Sequence, residues 1–211
     1  VVDPEVDLTL LGPLGCGIQT GSGTVLNRLK PVIGESIVVF GCGAVGLSAI
    51  MAAKLTGCSQ IIAVDIHASR LALAGELGAT HQINGKEQDA VALIKQITGK
   101  GAHYAVETTG VSAIVLQAVH AVKPLGTVAI VGFTGDITFN VQNDLMAEGK
   151  SLVGVIEGDA VPALFIPLLV QQYKQGKFPI DKLIVRYPLA DINQAFADSA
   201  SGKVIKPVVV M

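Results

Sequence analysis

Three glycines between positions 41 and 46 have the spacing of a dinucleotide-binding turn. Gly41, Gly43 and Gly46 follow the apolar run IVVF in the order G-x-G-x-x-G. In such a turn the first glycine makes the tight bend after a strand. The second lets the backbone approach a pyrophosphate, and the third lets the next helix pack closely against the strand. The free N–H groups of that helix, which is predicted to begin at Ala44, would face the phosphates.

A carboxylate occupies the position from which such a site holds the adenosine ribose. Asp65 comes 19 residues after Gly46, at the end of the second apolar run, where it can accept hydrogen bonds from both ribose hydroxyls. Its charge would oppose the extra 2′-phosphate of NADP, so we expect NAD to be preferred. A methyltransferase would also combine a glycine turn with a ribose-binding acid, but two complete βαβαβ halves in the sequence argue against that class.

The elements that must position these residues alternate along the chain. Strands are predicted at 36–40, 60–65, 81–83, 103–107, 126–131 and 151–156, and helices at 16–29, 44–56, 68–77, 87–98, 112–122, 160–174 and 191–199, with a last strand at 204–210. Short apolar strands that alternate with helices are typical of right-handed βαβ units. We therefore expect an α/β Rossmann fold with a doubly wound parallel six-stranded sheet in the order 3-2-1-4-5-6. Asp159 is expected to cap the helix that follows the sixth strand, with Pro162 in its first turn.

Composition and charge exclude several classes of protein. The formal net charge of −2 provides no basic surface for nucleic acid or an anionic membrane. No apolar run approaches the ~20 residues that a membrane span needs. Cys16, Cys42 and Cys58 are an odd number of cysteines without the spacing of a disulfide framework, which favours a reduced, cytoplasmic setting. The chain begins with Val-Val-Asp-Pro rather than methionine, and we expect a preceding part to be missing.

Several stretches give the chain a family resemblance. The segments LLGPLGCGIQTGSGTVLN, IVVFGCGAVGLSAIMAAKLTGCSQIIAVDIHASRLALAGELGAT and GVIEGDAVPALFIPLL resemble the C-terminal half of zinc-dependent medium-chain alcohol dehydrogenases, above all the aryl-alcohol (benzyl-alcohol) dehydrogenases. The resemblance implies a segment at 1–17 that joins a missing catalytic domain, an NAD-binding Rossmann domain at 18–157, and helices and a strand at 158–211 that return toward the missing domain.

The resemblance also implies roles for particular residues. Cys16 matches the third protein ligand of the catalytic zinc, whose other cysteine and histidine ligands would come from the missing domain. Further residues would line the cofactor groove. They are Thr20, Val45, Val131, Phe133 and Ile156 at the nicotinamide end, Thr108 and Thr109 on the adenosine and ribose side, Arg70 beside Asp65 at the ribose, and Lys206 at the pyrophosphate. Lys206 stands where the family usually has an arginine, so the bidentate geometry of a guanidinium is lost there.

The implied reaction is the reversible oxidation of a primary, aromatic alcohol to its aldehyde, with zinc as a Lewis acid and NAD as hydride acceptor. Two alternatives remain open: a zinc-free quinone or enone reductase, against which Cys16 argues, and a non-catalytic NAD-binding module. Tyr173 and Lys177 have the Y-x-x-x-K spacing of short-chain dehydrogenases, but Ala160 stands where that family has its serine. We therefore assign them no catalytic role.

The sixth predicted strand, at 151–156, contains neither charge nor proline. An exposed apolar edge strand invites pairing with another chain. The sequence therefore predicts a homodimer, or a dimer-based tetramer, through this strand, and the family resemblance implies the same.

Overall fold

The computed structural model describes residues 5–211, in which a six-stranded sheet forms the centre of the fold. All neighbouring strands of this sheet are parallel, and their order is β3-β2-β1-β4-β5-β6. The strands are β1 Ser36–Phe40, β2 Gln60–Asp65, β3 His81–Asn84, β4 Ala102–Glu107, β5 Val122–Ile130 and β6 Ser151–Gly154. The predicted fold class and strand order are confirmed.

Helices cover both faces of the sheet, which explains why the interior positions of β1 and β2 are apolar. The helices of the described residues are α1 Leu8–Leu11, α2 Gly17–Gly23, α3 Ala44–Thr56, α4 Ala68–Leu77, α5 Ala90–Thr98, α6 Ser112–Ala121, α7 Pro162–Lys174 and α8 Ile192–Ala200. Along β1, Ile37 and Val39 belong to one buried apolar cluster, and Val38 and Phe40 belong to the cluster on the opposite face. The two-residue period of the strand thus divides its side chains between two cores.

The buried helix α2 packs directly against the start of α3. A Cβ on Gly21 would lie 1.9 Å from the carbonyl oxygen of Val45 and 2.2 Å from Oγ of Ser48, so only glycine permits this approach. Ser22 turns its hydroxyl back onto the carbonyl of Ile18, at 2.7 Å, which satisfies it inside the core. Because α2 and the glycine turn touch, the residues at the start of α2 lie beside the phosphate-binding turn.

Three of the predicted helices differ from the structure in their extent or in their cap. The predicted helix at 16–29 is divided into α2 and a wider helical segment, Thr24–Leu29. The prediction that Asp159 caps the next helix is wrong: α7 begins at Pro162, and Asp159 instead pairs with Arg28 at 3.4 Å. Helix α5 begins later than predicted because Asp89 accepts from the N–H of Ala92 and caps it there.

A small second sheet was absent from the sequence prediction. Strand β7, Ile184–Pro188, pairs in parallel with β8, Lys206–Val210, and α8 packs against both. Only β8 was predicted, and it begins two residues later than expected. Among residues 5–211, no helix combines the length and apolar character needed to cross a bilayer.

Candidate cofactor-binding site

A continuous groove runs along the carboxyl ends of the central strands. One part, of about 700 Å³, contains the glycine turn and Asp65, and we call it the Asp65 pocket. The adjoining part, of about 720 Å³, reaches Phe133, and we call it the Phe133 pocket. Both parts are lined by Cys16, Gly17, Val45, Thr108 and Thr109. In open α/β sheets this edge, where the strand order reverses, is where ligands bind.

The structure places the predicted site residues along this groove. The Asp65 pocket is lined by Gly41, Gly43, Ala44, Arg70 and Lys206 together with Asp65. The Phe133 pocket adds Thr20, Val131, Phe133 and Ile156. Gly46 is buried behind the groove instead of lining it, as its predicted packing role requires.

The three glycines of the turn have distinct surroundings. Gly41 has a φ of +90°, and a Cβ there would lie 2.5 Å from Oγ1 of Thr108. A Cβ on Gly46 would lie 1.8 Å from the carbonyl oxygen of Gly41. A Cβ on Gly43 would meet no atom within 4 Å. Gly41 and Gly46 are therefore required by the fold, whereas the missing side chain of Gly43 leaves open space at the start of α3.

Asp65 is fixed in place at the end of β2. Its Oδ2 accepts from the N–H of Cys42 at 2.6 Å, and its Oδ1 accepts from the N–H groups of Ile66 and His67 at 2.7 and 2.9 Å. The side chain is only 8% exposed. Bonds from N–H groups to a charged carboxylate are strong, and each oxygen can accept more than one, so Asp65 can still accept from ribose hydroxyls.

The neighbouring cysteine of the turn is not suited to chemistry. Burial raises the pKa of the Cys42 thiol far above its usual value, and the charge of Asp65 raises that pKa further. The thiol of Cys42 therefore stays protonated and packs as a small apolar group.

Two cationic side chains close the Asp65 pocket. Arg70, on α4, lies against the C-terminal segment, where a Cβ on Gly202 would come within 2.9 Å of its Nη2. Its buried Nε has no hydrogen-bond partner among the described residues. Lys206 is the first residue of β8 and lines the same pocket. The pocket therefore combines one carboxylate with two cations, an arrangement suited to a ribose next to a pyrophosphate.

Glu107 is a residue of the site that the sequence analysis missed. Its carboxylate is completely buried at the end of β4 and accepts from the N–H and the hydroxyl of Thr109 and from the N–H of Gly110. It thereby fixes the loop that carries Thr108 and Thr109 into the groove. A charged residue at the end of an apolar strand, followed by Thr-Thr-Gly, was the signal available, because a buried carboxylate needs nearby donors.

Glu157 is a second missed residue, in an unusual turn after β6. Glu157, Gly158 and Asp159 have φ values of 48°, 68° and 47°, a left-handed conformation that is uncommon for residues with a Cβ. The turn is pinned to α2: a Cβ on Gly158 would lie 2.4 Å from the carbonyl oxygen of Gln19, and Asn27 donates to the carbonyl of Gly158 at 3.0 Å.

The carboxylate of Glu157 faces the residues at the start of α2. Its Oε2 accepts from Nε2 of Gln19 at 3.1 Å and from the hydroxyl of Thr20 at 3.4 Å. Its Oε1 lies 3.9 Å from Sγ of Cys16. Gln19 is 2% exposed, and its own Oε1 is buried without a partner among the described residues. An unsatisfied buried acceptor costs about 1–3 kcal/mol. The Gln19 amide therefore donates to Glu157 while its own oxygen carries that cost.

Cys16 fits the role of one zinc ligand. Its thiol is exposed at the start of α2, and it lines both pockets. Within residues 5–211, no group of three or more His, Cys, Asp and Glu side chains could hold a metal ion. A catalytic zinc needs three protein ligands, so the described residues do not by themselves form such a site.

Comparisons with known proteins agree with this geometry. The family model described as "Zinc-binding dehydrogenase" matches residues 44–171. The chain is 42% identical to a geraniol dehydrogenase of Castellaniella defragrans, over 99% of this chain and 57% of that protein. It is 33% identical to alcohol dehydrogenase 1 of Pisum sativum, over 100% of this chain and 57% of that protein.

Solved structures show the same relationship. A benzyl alcohol dehydrogenase from Acinetobacter calcoaceticus superposes with a TM-score of 0.96 at 52% identity, over 99% of this chain and 58% of that one. The chain thus spans between half and two thirds of the length of the relatives that it matches.

Proposed function

Since this chain belongs to the zinc-binding dehydrogenase family, we propose that it is the NAD-binding part of an alcohol dehydrogenase that oxidises a primary, benzyl-type alcohol to its aldehyde. The observation that carries this proposal is the continuous groove that joins the glycine turn, Asp65 and Cys16. Family members use NAD and zinc. The dinucleotide site and the candidate zinc ligand therefore lie in the same groove.

In the proposed complex the groove holds NAD in an extended form. Asp65 and Arg70 bind the adenosine ribose, and Thr108 and Thr109 line the adenosine side. The pyrophosphate lies over Gly43, at the start of α3 and near Lys206.

The nicotinamide lies in the Phe133 pocket. Thr20 and Val45 pack against the ring, the carbonyl of Val131 accepts from the carboxamide, and Phe133 and Ile156 form the apolar rim. Both rim side chains are fully or largely exposed, so they are available to a substrate or to a further part of the protein.

Cys16 is the zinc ligand that this chain contributes. Zinc, when bound, supplies Lewis acidity to the oxygen of the alcohol. The chain itself orients the nicotinamide beside that thiol, and the groove walls keep the ring in one pose. We place the remaining zinc ligands and most of the substrate pocket in the portion of the relatives that this chain does not span.

The relatives support an alcohol of one chemical type. Geraniol and benzyl alcohol, named in two of the similar proteins, are both primary alcohols whose reacting carbon adjoins an unsaturated carbon. A zinc-free quinone or enone reductase is disfavoured by Cys16. A non-catalytic NAD-binding module has one observation in its favour, since the described residues contain no group of three side chains that could hold a metal ion.

The proposal includes the organisation and the assembly of the protein. We propose that residues 1–17 join a catalytic domain, that residues 18–157 form the NAD-binding domain, and that residues 158–211 return toward the catalytic domain.

Strand β6 lies at the end of the sheet and pairs only with β5 within the described residues. We propose that β6 pairs with its copy in a second subunit across a two-fold axis. The three free cysteines favour a cytoplasmic enzyme.

Cofactor titration tests the proposal. By calorimetry the chain should bind NAD at least about tenfold more tightly than NADP, because Asp65 opposes the 2′-phosphate. Asp65→Asn, which keeps the size of the side chain and removes its charge, should narrow that difference. Asp181→Asn, at an exposed acid that lines neither pocket, serves as the matched control and should leave it unchanged.

Two results would contradict the assignment. Equal or tighter binding of NADP by the unmodified chain would remove the role given to Asp65. Oxidation of benzyl alcohol by the 211-residue chain alone would show that the chemistry lies in residues other than those proposed, because one cysteine cannot replace three zinc ligands.

A further inference from the structure

We propose that Glu157 biases the groove toward the oxidised cofactor. The nicotinamide ring of NAD⁺ carries a positive charge, whereas the ring of NADH is neutral. A carboxylate at the nicotinamide end of the groove therefore stabilises NAD⁺ more than NADH. This inference rests on the proposed function, because it takes the Phe133 pocket to be the nicotinamide site.

The position of the carboxylate supports this role. Glu157 lines the Phe133 pocket together with Cys16, Thr20, Val131 and Phe133. It receives the hydroxyl of Thr20 at 3.4 Å, and Thr20 is the residue proposed to pack against the ring. The carboxylate is thus one side chain away from the proposed nicotinamide position, at the opposite end of the groove from Asp65.

The charge of Glu157 is not neutralised by the groups that hold it. The hydrogen-bond partners described for its carboxylate, which are Cys16, Gln19 and Thr20, are all uncharged in the protonated-thiol state. The neighbouring carboxylate of Asp159 differs in this respect, since Arg28 pairs with it at 3.4 Å. Two acids of the same turn therefore present different net charges to the pocket.

The backbone also indicates that the orientation matters. The side chain of Glu157 is exposed, and its left-handed conformation is held by the contacts of Gly158 with α2 and with Asn27. Residues held in such conformations concentrate at functional sites. The effect of the turn is to direct the carboxylate toward the start of α2 and into the pocket.

The magnitude follows from Coulomb's law. For unit charges about 7 Å apart, with an effective dielectric constant between about 20 and 80, the expected preference for NAD⁺ is about threefold to fiftyfold, and partial solvent exposure favours the lower part of that range. We therefore expect the ratio of the Kd for NAD⁺ to the Kd for NADH to rise about fivefold when the charge of Glu157 is removed.

The experiment measures the affinities of the 211-residue chain for NAD⁺ and for NADH, by calorimetry and by NADH fluorescence, with a chelator present. Glu157→Gln keeps the size of the side chain and removes the charge. It should raise the ratio of the Kd for NAD⁺ to the Kd for NADH by about fivefold. Asp181→Asn, which removes the charge of an exposed acid that lines neither pocket, is the control and should leave the ratio unchanged.

A second variant keeps the test decisive if the glutamine variant folds poorly. Glu157→Gly removes the charge and also suits the left-handed backbone, so it should fold at least as well as the unmodified chain. It should shift the ratio in the same direction. Circular dichroism checks the fold of each variant.

The outcomes separate the two proposals. Equal weakening of NAD⁺ and NADH, or an unchanged ratio in a folded variant, would overturn the role of Glu157 and leave the cofactor site in place. Failure of the unmodified chain to bind either nucleotide would refute the proposed function itself, and with it this inference.

Discussion

Replacing Gly46 with alanine should destabilise the fold, whereas the same replacement at Gly43 should leave it intact. A Cβ at position 46 would lie 1.8 Å from the carbonyl oxygen of Gly41, 2.9 Å from its carbonyl carbon and 3.2 Å from Cγ1 of Val39. The obstructing atoms are mostly backbone, so α3 must move away from β1. Overpacking of this kind costs about 1–3 kcal/mol or more. The higher helix propensity of alanine returns at most about 1 kcal/mol.

Gly43 provides the matched comparison. It has a φ of −77°, which alanine adopts without strain, and a Cβ there meets no atom within 4 Å. Gly43→Ala should therefore change stability by less than about 0.5 kcal/mol. The new methyl group would occupy the space proposed for the pyrophosphate, so NAD affinity should fall by about tenfold or more, which corresponds to about 1.4 kcal/mol.

Urea unfolding and calorimetric titration of NAD, applied to both variants, separate the two effects. We expect Gly46→Ala to lose about 1–2 kcal/mol of unfolding free energy or more, and Gly43→Ala to lose only affinity. If Gly46→Ala were as stable as the unmodified chain, the close contact between helix and strand would not limit the fold. If Gly43→Ala bound NAD normally, the open space at Gly43 would not be the phosphate site.

Two further predictions concern assembly and pH. Val155 donates to Ile130 of β5, so by strand alternation the N–H of Leu152 faces the free edge. Light scattering should show a dimer for the unmodified chain and a monomer for Leu152→Pro. An unmodified chain that stays monomeric as concentration rises would refute edge pairing. The hydrogen bond from Tyr187 is the main cause that lowers the pKa of Asp198 below 3.8. Tyr187→Phe should raise that pKa in an NMR titration. The unmodified chain should have a higher free energy of unfolding than the variant above about pH 3.8, and this difference should disappear as the pH falls through the lowered pKa of Asp198. A loss of stability in the variant that is independent of pH would contradict this.

The central sheet was predictable because its signals are local. Strands β1 and β2 contain short apolar runs, and the glycine turn and Asp65 lie within one βαβ unit. Strand β7 was missed because it depends on pairing with β8, which lies about 20 residues away in a sheet of its own. The predicted capping role of Asp159 was wrong because Arg28 pairs with its carboxylate. Arg28 is distant in sequence, so this pairing could not be predicted.

The two missed site residues, Glu107 and Glu157, differ in how far away in the sequence their hydrogen-bond partners lie. Glu107 is held by Thr109 and Gly110, its immediate neighbours, so a closer analysis of that loop would have found it. Glu157 receives its hydrogen bond from Gln19 across 138 positions of the sequence. Composition and periodicity carry no signal for such a pair, and only the folded chain brings them together.

The attachment of the turn at 157–159 to α2 implies an order of assembly. The contact between Asp65 and Cys42 closes a loop of 23 residues, whereas the contact between Asn27 and Gly158 spans 131. Long-range contacts are made only after the entropy of closing the intervening chain has been overcome. The contact between Asp65 and the glycine turn should therefore form early in refolding, and the attachment of the turn at 157–159 to α2 should form later. Pulse-labelled amide exchange should accordingly show the N–H of Cys42 protected before that of Asp159, and the reverse order would contradict this. A newly made chain would then pass through a stage in which Asp65 already holds the glycine turn while the turn that carries Glu157 is not yet attached to α2.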